Sequence, residues 1–325
     1  MDRVRDFFSD AGAWIADRLR DVSGSAWRKV ALAVLVLLAL YYPIGMLMVH
    51  KVDDSLDFRP PARQTGESAS VAMVAALIHR EVETHGWVMN SPFFMPPAAL
   101  DNMPSYQQGM FAAFARFTIE LRDQVGRTRG SSAVDPDLEE AAGKLAYPGD
   151  IWIFDLDTSM LPTLPSDTQY MKARAALLDY NRRVALGEAA FVPRADNLLA
   201  TLDRIALDIG ASSAALDSHI TEHASGFLDF QADDLFYNVK GQAYGYYMIL
   251  LMMREDFADV IQGRELSVAY EQMLDSFRQL VMLDPLVVTN NEPGDMFPPN
   301  HLTDQGFYLL RARTQLREIT NILLK

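Results

Sequence analysis

The chain has 325 residues, 50% of them apolar and 22% charged, the make-up of a globular protein long enough to bury a sizeable core. It contains no cysteine, which excludes thiol catalysis and cysteine-bound zinc. A formal net charge of −14 repels nucleic-acid phosphates and anionic lipid surfaces, which argues against nucleic acid as a partner.

At the N-terminal end, Val4, Phe7, Phe8, Ala11, Trp14, Ile15, Leu19 and Val22 keep the i, i+3, i+4 rhythm of one helical face, with aspartates and arginines opposite. Residues 1–29 are therefore expected to include an amphipathic helix, cytoplasmic, lying in the inner-leaflet interface or docked on a partner helix. From Val30 to Val49 the chain reads "VALAVLVLLALYYPIGMLMV", twenty residues without a charge. At 1.5 Å rise per residue that run crosses a hydrocarbon layer about 30 Å thick, so a transmembrane helix is predicted over 30–50 with the lipid bilayer as its partner. A long head and a full-length span differ from the short basic start and cleavage site of a secretory signal, so the anchor is read as uncleaved. Arg18, Arg20, Arg28 and Lys29 precede the span, whereas Asp53, Asp54 and Asp57 follow it. That asymmetry puts the N-terminus in the cytoplasm and the rest in the periplasm of an inner membrane. Tyr41 and Tyr42 sit too deep to be interfacial anchors unless the helix bends at Pro43 and Gly45, where a kink is expected.

Residues 51–70 include "DDSLDFRPPARQTGESAS", polar with two prolines, and read as an extended stalk or linker. Residues 71–325 read as a periplasmic helical domain, one irregular bundle of about seven helices, so the fold class is all-α. Val71, Val74, Ala75, Ile78 and Val82 mark one helix; Tyr106, Met110, Phe114, Phe117, Leu121 and Val125 mark another. Asp135-Pro136 starts a short third, and Ser166 with Gln169 reads as a capping box. "IWIF" at 151–154 reads as an extended segment, since only the run 286–289 is available to pair with it as a strand. Leu198, Leu202, Ile205, Ile209, Ser212, Leu216, His219 and His223 form a seam on the longest helix. Residues 243–253 are apolar nearly all round, predicting a central buried helix in which Gly241 and Gly245 admit a neighbour's backbone. Leu266, Tyr270, Met273, Phe277 and Leu280 mark a further helix, and the last spans about 303–324. "QGMFAAFAR" at 108–116 is echoed by "QGFYLLRAR" at 305–313, which suggests related places for two helices and buried carboxylate partners for Arg116 and Arg313.

One short motif carries chemistry. His219, Glu222 and His223 spell H-x-x-E-H, the order of ligands and general base in one class of zinc peptidases. Side chains at i and i+4 share a helix face, so two imidazoles could hold one zinc ion with Glu222 polarising a bound water. A third ligand would come from Asp229, Asp233, Asp234, Glu292 or His301. The competing reading is two histidines closing a packing seam, hydrogen-bonded to Asp229 or Asp233. That reading is preferred, because both rings continue the Leu and Ile row. Asp233-Asp234 ahead of Leu-Phe-Tyr reads as a helix N-terminus, where carboxylates satisfy orphan backbone donors. Asp155 and Asp157 form a further carboxylate pair, read as a solvated edge.

The stretches "LDNMPSYQQG", "RTRGSS" followed by "DPDL", "ADDLFYNVKGQAYGYY" and "GFYLLRARTQLREI" resemble a family of bacterial inner-membrane proteins known only as a domain of unknown function. The resemblance implies a Gram-negative source and a single-span envelope protein, and it brings no catalytic residues. The expected role is recognition without a cofactor: an acidic tethered module that binds an envelope protein, or its own copy, through a cleft lined by Tyr and Met. A zinc-dependent hydrolase at 219–223 is the alternative class, and a carrier of apolar ligands a third.

Overall fold

The computed structural model describes residues 24–126, 134–154, 161–223, 229–291 and 299–325. The chain divides into two units, residues 1–49 and 50–325. In the first, α1 (Gly24–Val49) runs unbroken through Pro43, and among the described residues it is the one helix long and apolar enough to cross a membrane. It begins before the predicted Val30 because Ala26 and Trp27 extend the helical run. The amphipathic face expected from Val4 to Val22 lies outside the described residues.

The second unit is all-α, and no strand occurs among its described residues. Its helices are α2 (Ala69–His79), α3 (Asn102–Glu120), α4 (Pro136–Leu145), α5 (Ser166–Ala185), α6 (Ala195–Glu222), α7 (Phe230–Asp256), α8 (Ala258–Gly263), α9 (Ser267–Val281) and α10 (His301–Leu323). Two π turns, Arg80–Thr84 and Leu121–Val125, extend α2 and α3. Nine helices therefore stand among the described residues where periodicity suggests about seven; α8, of six residues, is too short for a hydrophobic period to register. The 151–154 run is not a strand, as expected for a segment without a pairing partner.

The bundle is organised by α7. Every residue from Ala243 to Met253 is buried, because α2, α3 and α9 cover it from different sides. Its most extensive partner is α3, and glycines make that crossing close. A Cβ on Gly241 would sit 1.9 Å from Tyr106 O, and one on Gly109 1.9 Å from Asn238 O. No side chain fits either place, so the backbones touch there. The echo at Gly306 does not reproduce this contact: nothing lies within 4 Å of a Cβ built on it, and α10 packs mainly on α6. Arg116 does pair with a carboxylate, Asp208, at 3.1 Å, but Arg313 Nε is buried without a hydrogen-bond partner.

Local caps differ from the sequence reading at two helices. Pro165 occupies the cap of α5, and Ser166 Oγ instead donates to Pro148 O at 2.7 Å and accepts from Ile151 N at 3.1 Å, tying down the preceding turn. At α7 the cap is Asp229, which accepts from Ala232 N at 3.1 Å, so Asp233 lies in the first turn and Asp234 just after it. Asp135 caps α4 ahead of Pro136, as its sequence requires.

The segment read as a free stalk is extended, yet it packs on the domain. Val52, Leu56 and Phe58 lie against the core, Lys240 Nζ reaches Asp54 at 2.8 Å, and Arg63 pairs with Glu255 at 2.6 Å. A composition rich in Pro and charge predicts lack of helix correctly, but it does not register that buried Arg and Lys heads elsewhere in the chain are waiting for its carbonyls and carboxylates. The segment ends at Ser68, which caps α2, and Asp256 accepts from Ala69 N at 2.6 Å and Ser70 N at 2.9 Å. A carboxylate at the positive end of a helix is stabilising, and here it joins α2 to the end of α7.

Candidate functional site

The histidine pair sits at the end of α6. Leu198, Leu202, Ile205, Ile209 and Leu216 are buried along one face, and the seam reaches solvent at its end, where His219 is half-buried and His223 exposed. The rings stack 4.7 Å apart at 17°. His219 Nε2 lies 2.7 Å from Asp229 Oδ2, the cap of the next helix. Burial works to raise the Asp229 pKa, but the His219 hydrogen bond, the Ala232 N–H and Asn290 outweigh it and hold the carboxyl below its ordinary value. Asn290 Nδ2 also donates to His223 O at 3.1 Å, tying Asn290 to this end of α6. Glu222 is turned aside, accepting from Ser218 Oγ at 2.8 Å at the surface.

Of the other residues considered as ligands, His301 is engaged separately. Its Nδ1 accepts from Thr289 N at 3.1 Å, and burial lowers its pKa. Asp233 faces Asp101 and Asp234, and burial together with these carboxylates pushes its pKa up to about 6. Glu292, Asp155 and Asp157 lie outside the described residues. Among the described residues no group of three His, Asp or Glu side chains is placed to hold a metal ion. The structure thus brings His219, His223 and Asp229 together as a stacked, hydrogen-bonded joint between α6 and α7.

A second constellation, which no motif announces, lies where α2 ends. The π turn closes with His85 N donating to Arg80 O at 2.9 Å. Such wide turns recur at functional sites because the extra residue re-aims side chains. Here it gathers Arg80, Glu81 and His85 around Asp53. Arg80 Nε donates to Glu81 Oε1 at 2.8 Å, one terminal nitrogen to Tyr244 OH at 2.8 Å and the other to Asp53 O at 2.8 Å. Glu81 is fully buried and takes a further bond from Gln107 Nε2 at 3.2 Å. His85 Nε2 lies 3.4 Å from Asp53 Oδ2, while His85 Nδ1, 3.4 Å from Glu81, is a buried polar atom without a hydrogen bond. Burial pulls the Arg80 pKa down, but Glu81, Tyr244, Tyr106 and Asp53 outweigh it, so the guanidinium stays charged. Burial likewise lifts Tyr244 to about 12, keeping its phenol neutral as an acceptor for Arg80 and a donor to Ser55 O at 2.9 Å.

Beside this cluster opens a cavity of about 670 Å³, within the range of small-molecule sites. Its apolar wall includes Phe58, Pro60, Ala72, Ala75 and Leu178, and Arg80 and His85 reach it from the buried cluster. Lys51, Arg59 and Arg174 also line it, and none of the three has a carboxylate partner among the described residues. Arg174 Nε is buried without a hydrogen bond. Among the described residues, Tyr244, Tyr246, Met248 and Met253 of α7 are buried in the core.

Sequence reasoning missed this place because its members come from a supposed linker, a helix end and two other helices. A weak signal exists in "IHREVETH" at 78–85, where two charges, Arg80 and Glu81, interrupt an otherwise apolar helix that continues to Val82. Charges on the apolar face of a buried helix need partners, which points to a network without naming its other half. No curated protein and no solved structure matches this chain. Residues 25–325 match the family model described as "uncharacterized protein conserved in bacteria (DUF2333)", and the chain belongs to that bacterial family.

Proposed function

We propose that this protein is a tethered binding module of the bacterial envelope, whose α2 cavity takes a ligand with an anionic group and an apolar body. In this reading α1 spans the inner membrane with the N-terminus in the cytoplasm and the helical domain in the periplasm. The charge-free run of α1 from Val30 to Val49 and the basic residues ahead of that run support the anchor and its orientation. A reporter fused to the C-terminus checks the orientation, and activity confined to the cytosol would reverse it.

One observation carries the ligand chemistry. In a domain left with about −15 once the six basic and five acidic residues of the head are set aside, three cationic side chains without carboxylate partners among the described residues line one cavity with an apolar wall, which Asp53 and Glu67 also border. Unpaired cations drawn together on a protein so acidic oppose neither each other nor the field if an anion sits among them, and the apolar wall selects one with a hydrocarbon portion. Catalysis is not part of the reading, because Arg80 spends its donors on Glu81, Tyr244 and Asp53 O, and the Tyr106 and Tyr244 hydroxyls donate to the carbonyls of Asp53 and Ser55.

Thermal unfolding of the full chain in neutral detergent tests it with octyl phosphate as the probe. A ligand at about a hundred times its Kd adds about 2.7 kcal/mol, which raises the Tm by several degrees. Octanol, with the same chain and no charge, should leave the Tm unchanged, and Arg59→Ala with Arg174→Ala should remove the response to octyl phosphate. An equal rise in the double variant, or none in the native protein, sinks the reading.

A further inference from the structure

Away from the cavity, the domain carries a group of exposed apolar side chains on its described loops. Four aromatic rings on two loops form an edge-on row: Phe93 to Phe94 at 5.5 Å, Phe94 to Trp152 at 5.9 Å and Trp152 to Phe154 at 5.5 Å. Phe94, Met95, Ile153, Phe154 and Leu164 are exposed around it. The stretches that bear these side chains hold no charge: 86–100 reads "GWVMNSPFFMPPAAL", 151–154 "IWIF" and 161–165 "LPTLP". The loops are fixed to one another. Trp87 Nε1 donates to Gly149 O at 2.7 Å, Asn90 Nδ2 to Ile151 O at 3.2 Å, and Thr163 Oγ1 to Trp152 O at 2.6 Å. Prolines at 92, 96 and 97 remove backbone freedom from the first loop. The row is thus held in place before anything binds it.

We infer that this row is a membrane-contact surface, which enters the neutral interfacial layer of the bilayer that holds α1. The inference rests on α1 being a span, and three observations choose lipid as the occupant. The first is position. The 86–100 loop leads into α3, and the start of α3 is where the chain enters the domain, since Lys51 N donates to Met103 Sδ at 3.3 Å. The second is the tether. Only His50 and Lys51 separate α1 from Val52, which already packs on the core, so the domain is joined to the helix read as the span by a very short link. Even a weak affinity then suffices, because a short link sets an effective concentration on the order of mM. The third is composition. Phe, Trp, Met and Pro without Lys or Arg suit the amphipathic interface of uncharged lipid, whereas anionic headgroups call for a basic patch and protein hot spots favour Arg beside the aromatics. Asp150 beside the row and the acidic domain as a whole add to the case against anionic lipid.

The absence of cysteine permits single-cysteine variants of the full chain, each carrying one environment-sensitive fluorophore. Three are reconstituted in phosphatidylcholine vesicles containing nitroxide-labelled lipid: Phe94→Cys on the row, Leu37→Cys within α1, and Val268→Cys on α9. The last is beside the opposite end of α7, where Tyr270 OH donates to Leu250 O at 2.9 Å. The Phe94 and Leu37 probes should lose most of their emission while the Val268 probe keeps its own, and adding Phe154→Asp should restore emission at Phe94 alone. Quenching at Leu37 with none at Phe94 overturns the contact surface and leaves the anchor standing; no quenching at either overturns both. A Phe94 probe untouched by lipid but shielded by protein in native membranes would give the row to a protein partner and also refute the inference.

Discussion

The end of α6 and the end of α2 are instructive side by side. Each presents histidine, carboxylate and a helix terminus, and only the first spells a motif. At α6 the motif residues are close in sequence and meet solvent: His223 is exposed, Glu222 is occupied by Ser218, and the one strong contact is His219 with Asp229. At α2 the charged members are buried, and their partners come from Asp53, Gln107 and Tyr244, far apart in the chain. The difference teaches that local spacing reports which side chains share a face, whereas cost of burial reports which of them the fold must have a reason to keep.

The most forceful way to break the comparison is to remove the buried anion. Glu81→Ala leaves the Arg80 guanidinium among Phe58, Tyr244 and backbone carbonyls with Asp53 as its remaining carboxylate, 3.5 Å away. Loss of one partner of a buried pair costs about 3–5 kcal/mol, so the midpoint of unfolding in neutral detergent should fall by roughly 10 °C. A fall of only a degree or two would mean that water reaches Arg80 and that the two helix ends are energetically alike.

How far the sequence went can be followed residue by residue. The all-α class, the long apolar helix, the central α7 and the close approach at Gly241 and Gly245 were legible, because each is a local pattern whose consequence is also local. Asp135-Pro136 announced its helix for the same reason. Ser166 was misread since a serine before a helix can bond either the helix or the turn behind it, and the turn partner at Pro148 is not visible from spacing. The cavity was illegible on two counts. Part of its lining comes from a segment whose composition signals only lack of helix, and its cations share one cavity only once α5 adds Arg174 to the lining that holds Arg59. The histidine motif was legible as geometry, since its two rings stack on one another and His219 meets Asp229, while Glu292 lies outside the described residues.

A smaller effect sharpens the α6 side of the comparison and has a pH signature. Asn caps a helix as well as Asp, so Asp229→Asn spares the Ala232 contact and changes the bonds that Oδ2 makes with His219 and Asn290, that to His219 at 2.7 Å being the shorter. At neutral pH the loss should be about 1–2 kcal/mol, the worth of a hydrogen bond to a charged group. The Asp229 pKa is depressed in the fold, so its contribution is present above the unfolded carboxyl value near 4 and is lost as pH falls through the lower folded value. Unfolding curves of the native protein and the variant should therefore converge in acid. A gap that stays constant with pH would mean that the carboxylate charge is not what His219 recognises.

The smallest expected change is the most telling for the motif. His223 is exposed, stacks on His219, and lends only its carbonyl to Asn290, which a side-chain replacement leaves intact. His223→Ala should alter stability by less than about 0.5 kcal/mol, as for a surface position. A zinc site would behave otherwise, since binding free energy of a metal is also folding free energy and both imidazoles would be needed to hold it. Elemental analysis of native protein and variant separates the cases: about one zinc per chain, lost in the variant together with several kcal/mol, would turn the joint between α6 and α7 into a metal centre. Equal, substoichiometric metal in both would leave the stacked rings as the closing pair of a packing seam, held by Asp229 as a buried row of Leu and Ile gives way to water.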